Sequence, residues 1–121
     1  MTTAALMMIS FVAIEHLYIL WLEMFAWETH GKRAFRGAMK EELFTPTKTI
    51  AANQGLYNGF LAAGLIWSAM IDDDIWGRKV AVFFLSCVII AGCFGAITAG
   101  RRIFFIQAVP AMIALAIVIF C

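Results

Sequence analysis

Four stretches of this chain are long and apolar enough to cross the hydrocarbon core of a bilayer, and no other feature restricts its fold so tightly. A core about 30 Å thick takes roughly 20 helical residues. Residues 4–27, 50–71, 80–99 and 103–121 reach that length within a few residues. Across the whole chain 64% of residues are hydrophobic and 14% charged, against about 25% charged in an ordinary soluble domain. A soluble chain of 121 residues has too little interior to hide that much apolar surface. The expected fold is therefore all-α: one polytopic transmembrane domain over residues 1–121, built as an antiparallel bundle of four spans. The first stretch has no Lys or Arg ahead of it, is longer than a signal-peptide core and is interrupted by Glu15 and His16, so it reads as a retained span.

The connections orient these spans. Gly100, Arg101 and Arg102 make a turn tight enough to force a hairpin, while Asp72, Asp73, Asp74, Arg78 and Lys79 separate the second and third stretches. The long first connection, residues 28–49, carries Lys32, Arg33, Arg36, Lys40 and Lys48. Within it Phe35, Met39 and Leu43 recur every four residues, as on one stripe of a short helix lying at the membrane interface, with a solvated loop as the alternative. Thr45-Pro46 resembles an N-cap followed by proline at the first helical position, which would start the second helix a turn before the bilayer core. The first and third connections hold seven Lys and Arg, and the rest of the chain holds two. The positive-inside rule then puts both termini outside, which for a bacterial source means an inner-membrane protein with periplasmic ends.

Other chemistries find little support. The formal charge is +1, and no clustered basic face accompanies a nucleic-acid-binding motif. Cys87, Cys93 and Cys121 form no CxxC pair and no Cys/His group at zinc spacing, so they read as apolar packing residues. No cofactor is implied. A metal site on Glu15, His16 and Glu23 would lack the i, i+4 pairing that a single helix needs.

Ionisable residues inside a span cost several kcal/mol on insertion scales and mark functional sites. Glu15, His16 and Glu23 of the first stretch are therefore the leading candidates. His16 and Glu23, seven residues apart, share a helical face within about 20° but stand about 10 Å apart along the axis. The second stretch opens with Asn53, Gln54, Tyr57 and Asn58 at three- and four-residue spacing, hence on one face. Beside them Gly55, Gly59 and Ala63 form a small-xxx-small stripe that admits a neighbouring helix, including that of a second copy in a homodimer. Counting from the span ends at 1.5 Å per residue, Glu23, Asn53, Gln54 and Gln107 all fall about 5–6 Å inside the same membrane face. Asn58, His16 and Glu15 lie progressively deeper. In the fourth stretch Pro110 removes the donor to the Ile106 carbonyl and predicts a kink near Gln107.

At EHLYILWLEMFAW, NQGLYNGFLAAG, CVIIAGCFGAIT and QAVPAMIALA the chain resembles a bacterial family of small four-helix membrane proteins known only as a domain of unknown function. The resemblance spans essentially the whole chain. It implies the size and the four-helix membrane fold but no activity, so the candidate residues stand on physical grounds.

Four readings of the polar layer follow. The leading one is a membrane protein that binds or translocates a small ligand or protons, with Glu15, His16 and Glu23 exchanging protons and the amides of Asn53, Gln54, Asn58 and Gln107 holding a polar group. The second is an isomerase-like enzyme on a lipid-like substrate, with a carboxyl group and His16 as acid and base. The third is the metal site weighed above. The fourth is an accessory or assembly subunit in which the polar groups only lock helices together.

Overall fold

The computed structural model describes residues 1–121 and is helical throughout, without strands. Helix α1 runs Thr3–Phe25, α2 Lys48–Met70, α3 Asp74–Thr98 and α4 Arg101–Phe120. By length and composition α1, α3 and α4 are apolar enough to cross a membrane. Helix α2 is as long as α1, 23 residues, but its amides and hydroxyls dilute its apolar surface.

Helix α1 shows how the sequence sets the packing. Thr2 caps it, its hydroxyl accepting the Ala5 N–H at 3.2 Å. From there Ala5, Ile9, Val12, Ala13, His16, Ile19 and Leu22 are buried, a stripe at helical spacing. Helix α2 lies along α1, α3 beside α2, and α4 touches both α3 and α1, which closes the ring. The glycines of α2 make the first of these contacts close: a Cβ on Gly55 would stand 2.6 Å from Met24 Cγ and 3.2 Å from the Leu20 carbonyl oxygen, and one on Gly59 2.6 Å from Leu20 Cδ1. Two of the three residues expected to face a second copy are thus occupied by α1 of the same chain, and only Ala63 is exposed.

The apolar core is confined to one half of the bundle. It comprises Ala5, Ile9, Val12 and Ala13 of α1, Leu65 of α2, Ala81, Leu85 and Val88 of α3, and Ala111, Ala114 and Val118 of α4. The same end is tied by polar contacts. The Met1 ammonium pairs with Asp74, Arg78 Nε donates to Asp74 at 2.9 Å, and Arg78 Nη1 donates to the Val118 carbonyl at 2.5 Å. Asp73 caps α3 by accepting the Trp76 N–H at 2.9 Å. The acidic connection therefore has structural duties, and α3 begins six residues before the expected Val80.

Two local expectations need correction. The first connection is no continuous interfacial helix. It consists of a π turn at Trp27–Gly31, one α turn at Lys32–Ala34 and a 3-10 turn at Glu41–Leu43, broken by Gly37 at φ +89, a value suited to glycine. Phe35 and Met39 do pack together, against Trp27, Phe44 and Ala51, whereas Leu43 is 44% exposed. Nor does Thr45-Pro46 open α2. Thr45 donates to Glu28 at 3.1 Å, Thr47 occupies the cap position, and the Thr47 hydroxyl donates backward to the Leu43 carbonyl at 2.7 Å while receiving the Trp27 indole N–H at 3.1 Å. Ahead of Pro110, around Gln107, Phe104–Ala108 form a π turn, and the Val109 N–H reaches back to the Phe104 carbonyl. Gly92 of α3 lies against this turn, where a Cβ would meet Ala108 N at 2.8 Å.

Candidate functional site

Where the apolar core ends, α1 with α2 and α3 with α4 stay paired while α4 parts from α1. Helix α4 packs on α1 mainly through Val109–Phe120, and an open cleft of about 1040 Å³ fills that half of the molecule. Its volume is at the upper end of the roughly 300–1,000 Å³ of small-molecule sites. Helix α1 lines it with Glu15, Tyr18, Ile19, Leu22 and Glu23, α2 with Gln54 and Asn58, α3 with Ala91, Phe94 and Gly95, and α4 with Ile103, Ile106 and Gln107. Five of the eight residues singled out in the sequence, Glu15, Glu23, Gln54, Asn58 and Gln107, thus border one space. Three do not.

The three outside the cleft have clear positions. His16 is 1% exposed, and its Nδ1 donates to the Val12 carbonyl at 2.8 Å, one turn back on α1. It faces the packed interior, so a carboxyl–His16 acid–base pair is not assembled in the cleft. Asn53 is exposed, and Tyr57 is 61% exposed with its ring 5.8 Å from that of Phe60. Both lie on the outer surface of α2, because successive side chains point about 100° apart and only Gln54 and Asn58 turn inward.

The two carboxylates differ in their partners. Glu23 accepts a hydrogen bond from Asn58 Nδ2 at 2.6 Å, and the same amide donates to the Gln54 carbonyl at 3.2 Å. This bond ties α1 to α2 at the level of the polar layer. Glu15 stands two turns away, about 12 Å along the helix. Its Oε2 is buried and has no hydrogen-bond partner in the protein. A buried polar atom without a partner costs about 1–3 kcal/mol, so Glu15 marks where the cleft asks for water or a ligand.

The mouth carries groups that the sequence assigned only to topology. Arg33 and Arg36 come from the first connection and Arg101 and Arg102 from the start of α4, and all four line the cleft together with His30. The His30 ring lies 5.0 Å from that of Trp21. Outside the cleft Glu28 accepts from Thr45 and pairs with Lys48 at 3.4 Å. The Thr45 hydroxyl first, and the Lys48 ammonium with it, hold the Glu28 carboxyl below its ordinary pKa. No three His, Cys, Asp or Glu side chains are grouped closely enough to hold a metal ion.

A family model described as a protein of unknown function (DUF1304) matches residues 10–119. The chain belongs to this family. Every cleft residue from Glu15 to Gln107 lies inside the matched segment, so the cleft of this DUF1304 protein is built from the part of the chain that defines the family. The chain is also similar to the uncharacterized protein YpaA of Lactococcus lactis subsp. lactis (strain IL1403), with 29% identity over 116 residues, covering 95% of this chain and 96% of that one. No solved structure matches it.

Proposed function

We propose that this DUF1304 protein is an integral membrane protein of four antiparallel spans, and that its cleft binds a small polar or amphiphilic ligand entering from the side of the first and third connections. In a bacterial inner membrane that side is cytoplasmic and both termini are periplasmic. Glu15 and Glu23 are the groups that exchange protons as the ligand enters, and the amides of Gln54, Asn58 and Gln107 hold its polar part.

One observation carries this reading: the buried, unpartnered Oε2 of Glu15 at the inner reach of an open cleft. A network that only locks helices would use up its polar atoms, as the Glu23–Asn58 pair does. That pair is the specific support for the second reading, an accessory subunit with a structural polar network. The isomerase reading is weaker, because His16, its expected base, faces away from the cleft.

The test combines access with occupancy. In a chain with Cys87, Cys93 and Cys121 replaced by serine, Gln54→Cys and Gln107→Cys are expected to react with a membrane-impermeant maleimide in inverted membrane vesicles only. Tyr57→Cys is expected to stay unreactive in both orientations. Small molecules extracted from the purified protein are expected to be depleted by Ala91→Trp, which fills the cleft from α3. Labelling from both sides, together with an extract unchanged by Ala91→Trp, would leave the cleft without a binding role.

A further inference from the structure

We propose that the mouth of the cleft is a site for the phosphate of an anionic phospholipid, with one acyl chain lying along the apolar wall. The inference rests on the binding reading above and names the occupant.

Four exposed arginines, Arg33, Arg36, Arg101 and Arg102, line this one cleft. None of them is matched by a carboxylate of the protein. The side-chain ion pairs of the chain are Glu28–Lys48 and Asp74–Arg78, and the cleft carboxylates sit on α1 further along the bundle, Glu23 with its amide donor. Like charges gathered around one opening disfavour each other until an anion joins them. The planar fork of arginine matches phosphate oxygens two at a time, which makes arginine better suited than lysine to this role. Basic pockets between membrane helices at the cytoplasmic face bind lipid headgroups on the same principle.

The walls decide between a lipid and a free anion. Tyr18 of α1, Phe94 of α3 and Ile106 of α4 line the cleft with exposed apolar surface, beside the half-buried Ile103. A soluble phosphate would use the arginines and leave this apolar lining wet. An acyl chain covers it and continues into the bilayer where α1 and the π turn of α4 stand apart. The arginines also come from two separate connections, so an anion bound among them joins the first connection to the start of α4.

Native mass spectrometry of the delipidated protein titrated with phosphatidylglycerol tests the proposal. The expected result is retention of phosphatidylglycerol in preference to phosphatidylcholine, weakened about thirty-fold in R101Q/R102Q by the loss of two charges near the headgroup. The control K32Q/K40Q removes two charges from the first connection at residues outside the cleft, and its binding is expected to match the unmodified protein. If R101Q/R102Q does not fold, as judged by thermal unfolding, R33Q/R36Q in the irregular connection takes its place. Undiminished binding in the arginine variants would overturn the proposal, and so would an equal loss in K32Q/K40Q, which would mean a diffuse surface field. Displacement of the lipid by millimolar inorganic phosphate would identify a soluble phosphate compound as the occupant instead. Should phosphatidylglycerol binding fail while Ala91→Trp still depletes a co-purified molecule, the lipid proposal falls and the cleft reading stands.

Discussion

The close approach of α3 to the π turn of α4 yields a prediction whose size can be worked from distances. Replacing Gly92 with alanine places a methyl group 2.8 Å from Ala108 N, 2.9 Å from Ala108 Cβ and 3.1 Å from Ala108 Cα. Non-bonded carbons settle at about 3.5–4.0 Å, so the π turn must retreat by roughly 0.7 Å or more at this point. Two of the three obstructing atoms are backbone, which has no rotamer to escape into. Overpacking of this kind costs about 1–3 kcal/mol, offset by about 1 kcal/mol from the better helix propensity of alanine. Gly95 is the internal control. Its added methyl would meet only the Ile103 side chain, with Cγ2 at 2.8 Å, and no backbone atom. Gly95→Ala is therefore expected to be the milder change, and Gly92→Ala to fall below it by about 1–3 kcal/mol. Detergent-induced unfolding followed by helical circular dichroism measures the difference. Equal stability of the two variants would refute the idea that backbone contact with the π turn sets this crossing.

Three further outcomes are expected. Asn58→Ala removes the donor to Glu23 and should destabilise the α1–α2 pair by about 0.6–1.7 kcal/mol, the range of interhelical hydrogen bonds in membranes; a double-mutant cycle with Glu23→Gln checks that the loss is coupled. Asp73→Ala deletes the α3 cap and should cost about 0.5–2 kcal/mol, while Asp72→Ala, which removes no side-chain hydrogen bond, leaves the unfolding curve unchanged. Because the folded-state pKa of Glu28 is depressed, its contribution is complete above the ordinary glutamate pKa and is lost as pH falls through the lower folded value. Removing the Thr45 hydroxyl and Lys48 ammonium together, as Thr45→Val/Lys48→Gln, should flatten that acid limb of the stability curve, and an unaltered limb would show that the pair is idle.

Much of the frame was legible in the apolar stretches, because span length follows directly from bilayer thickness. Their ends were less so. The start of α3 at Asp74 depends on a cap and an ion pair made with residues far away in the sequence, and Asp73 and Asp74 look like any acidic loop until those partners are in place. In the first connection the spacing of Phe35, Met39 and Leu43 described a helix that Gly37 interrupts. The site was legible by level but not by face. Counting turns put Glu23, Gln54 and Gln107 at one height, and all three border the cleft. The same count could not separate Glu15 from His16 or Gln54 from Asn53, since adjacent residues share a depth and point about 100° apart. The arginines were missed because a tally of positive charge carries orientation and no position.

The division of the bundle follows from where its small and bulky residues fall. Ala5, Ala81, Ala111 and Ala114 let four helices close around Ile9, Val12, Leu85 and Val88 at one end. At the other end the residues α1 turns to the cleft include two carboxylates, Glu15 and Glu23, and α4 is widened by a π turn that contains Gln107, also a lining residue. Closing that end as tightly would bury two carboxylates with too few donors, a penalty larger than the added apolar packing could offset. An open, partly wetted cleft is the arrangement these side chains permit. The π turn beside it, of a kind often found at functional sites, lies between Gly92 of α3 on one side and the closed core from Ala111 onward. The same residues that keep the cleft open therefore also fix where its floor lies.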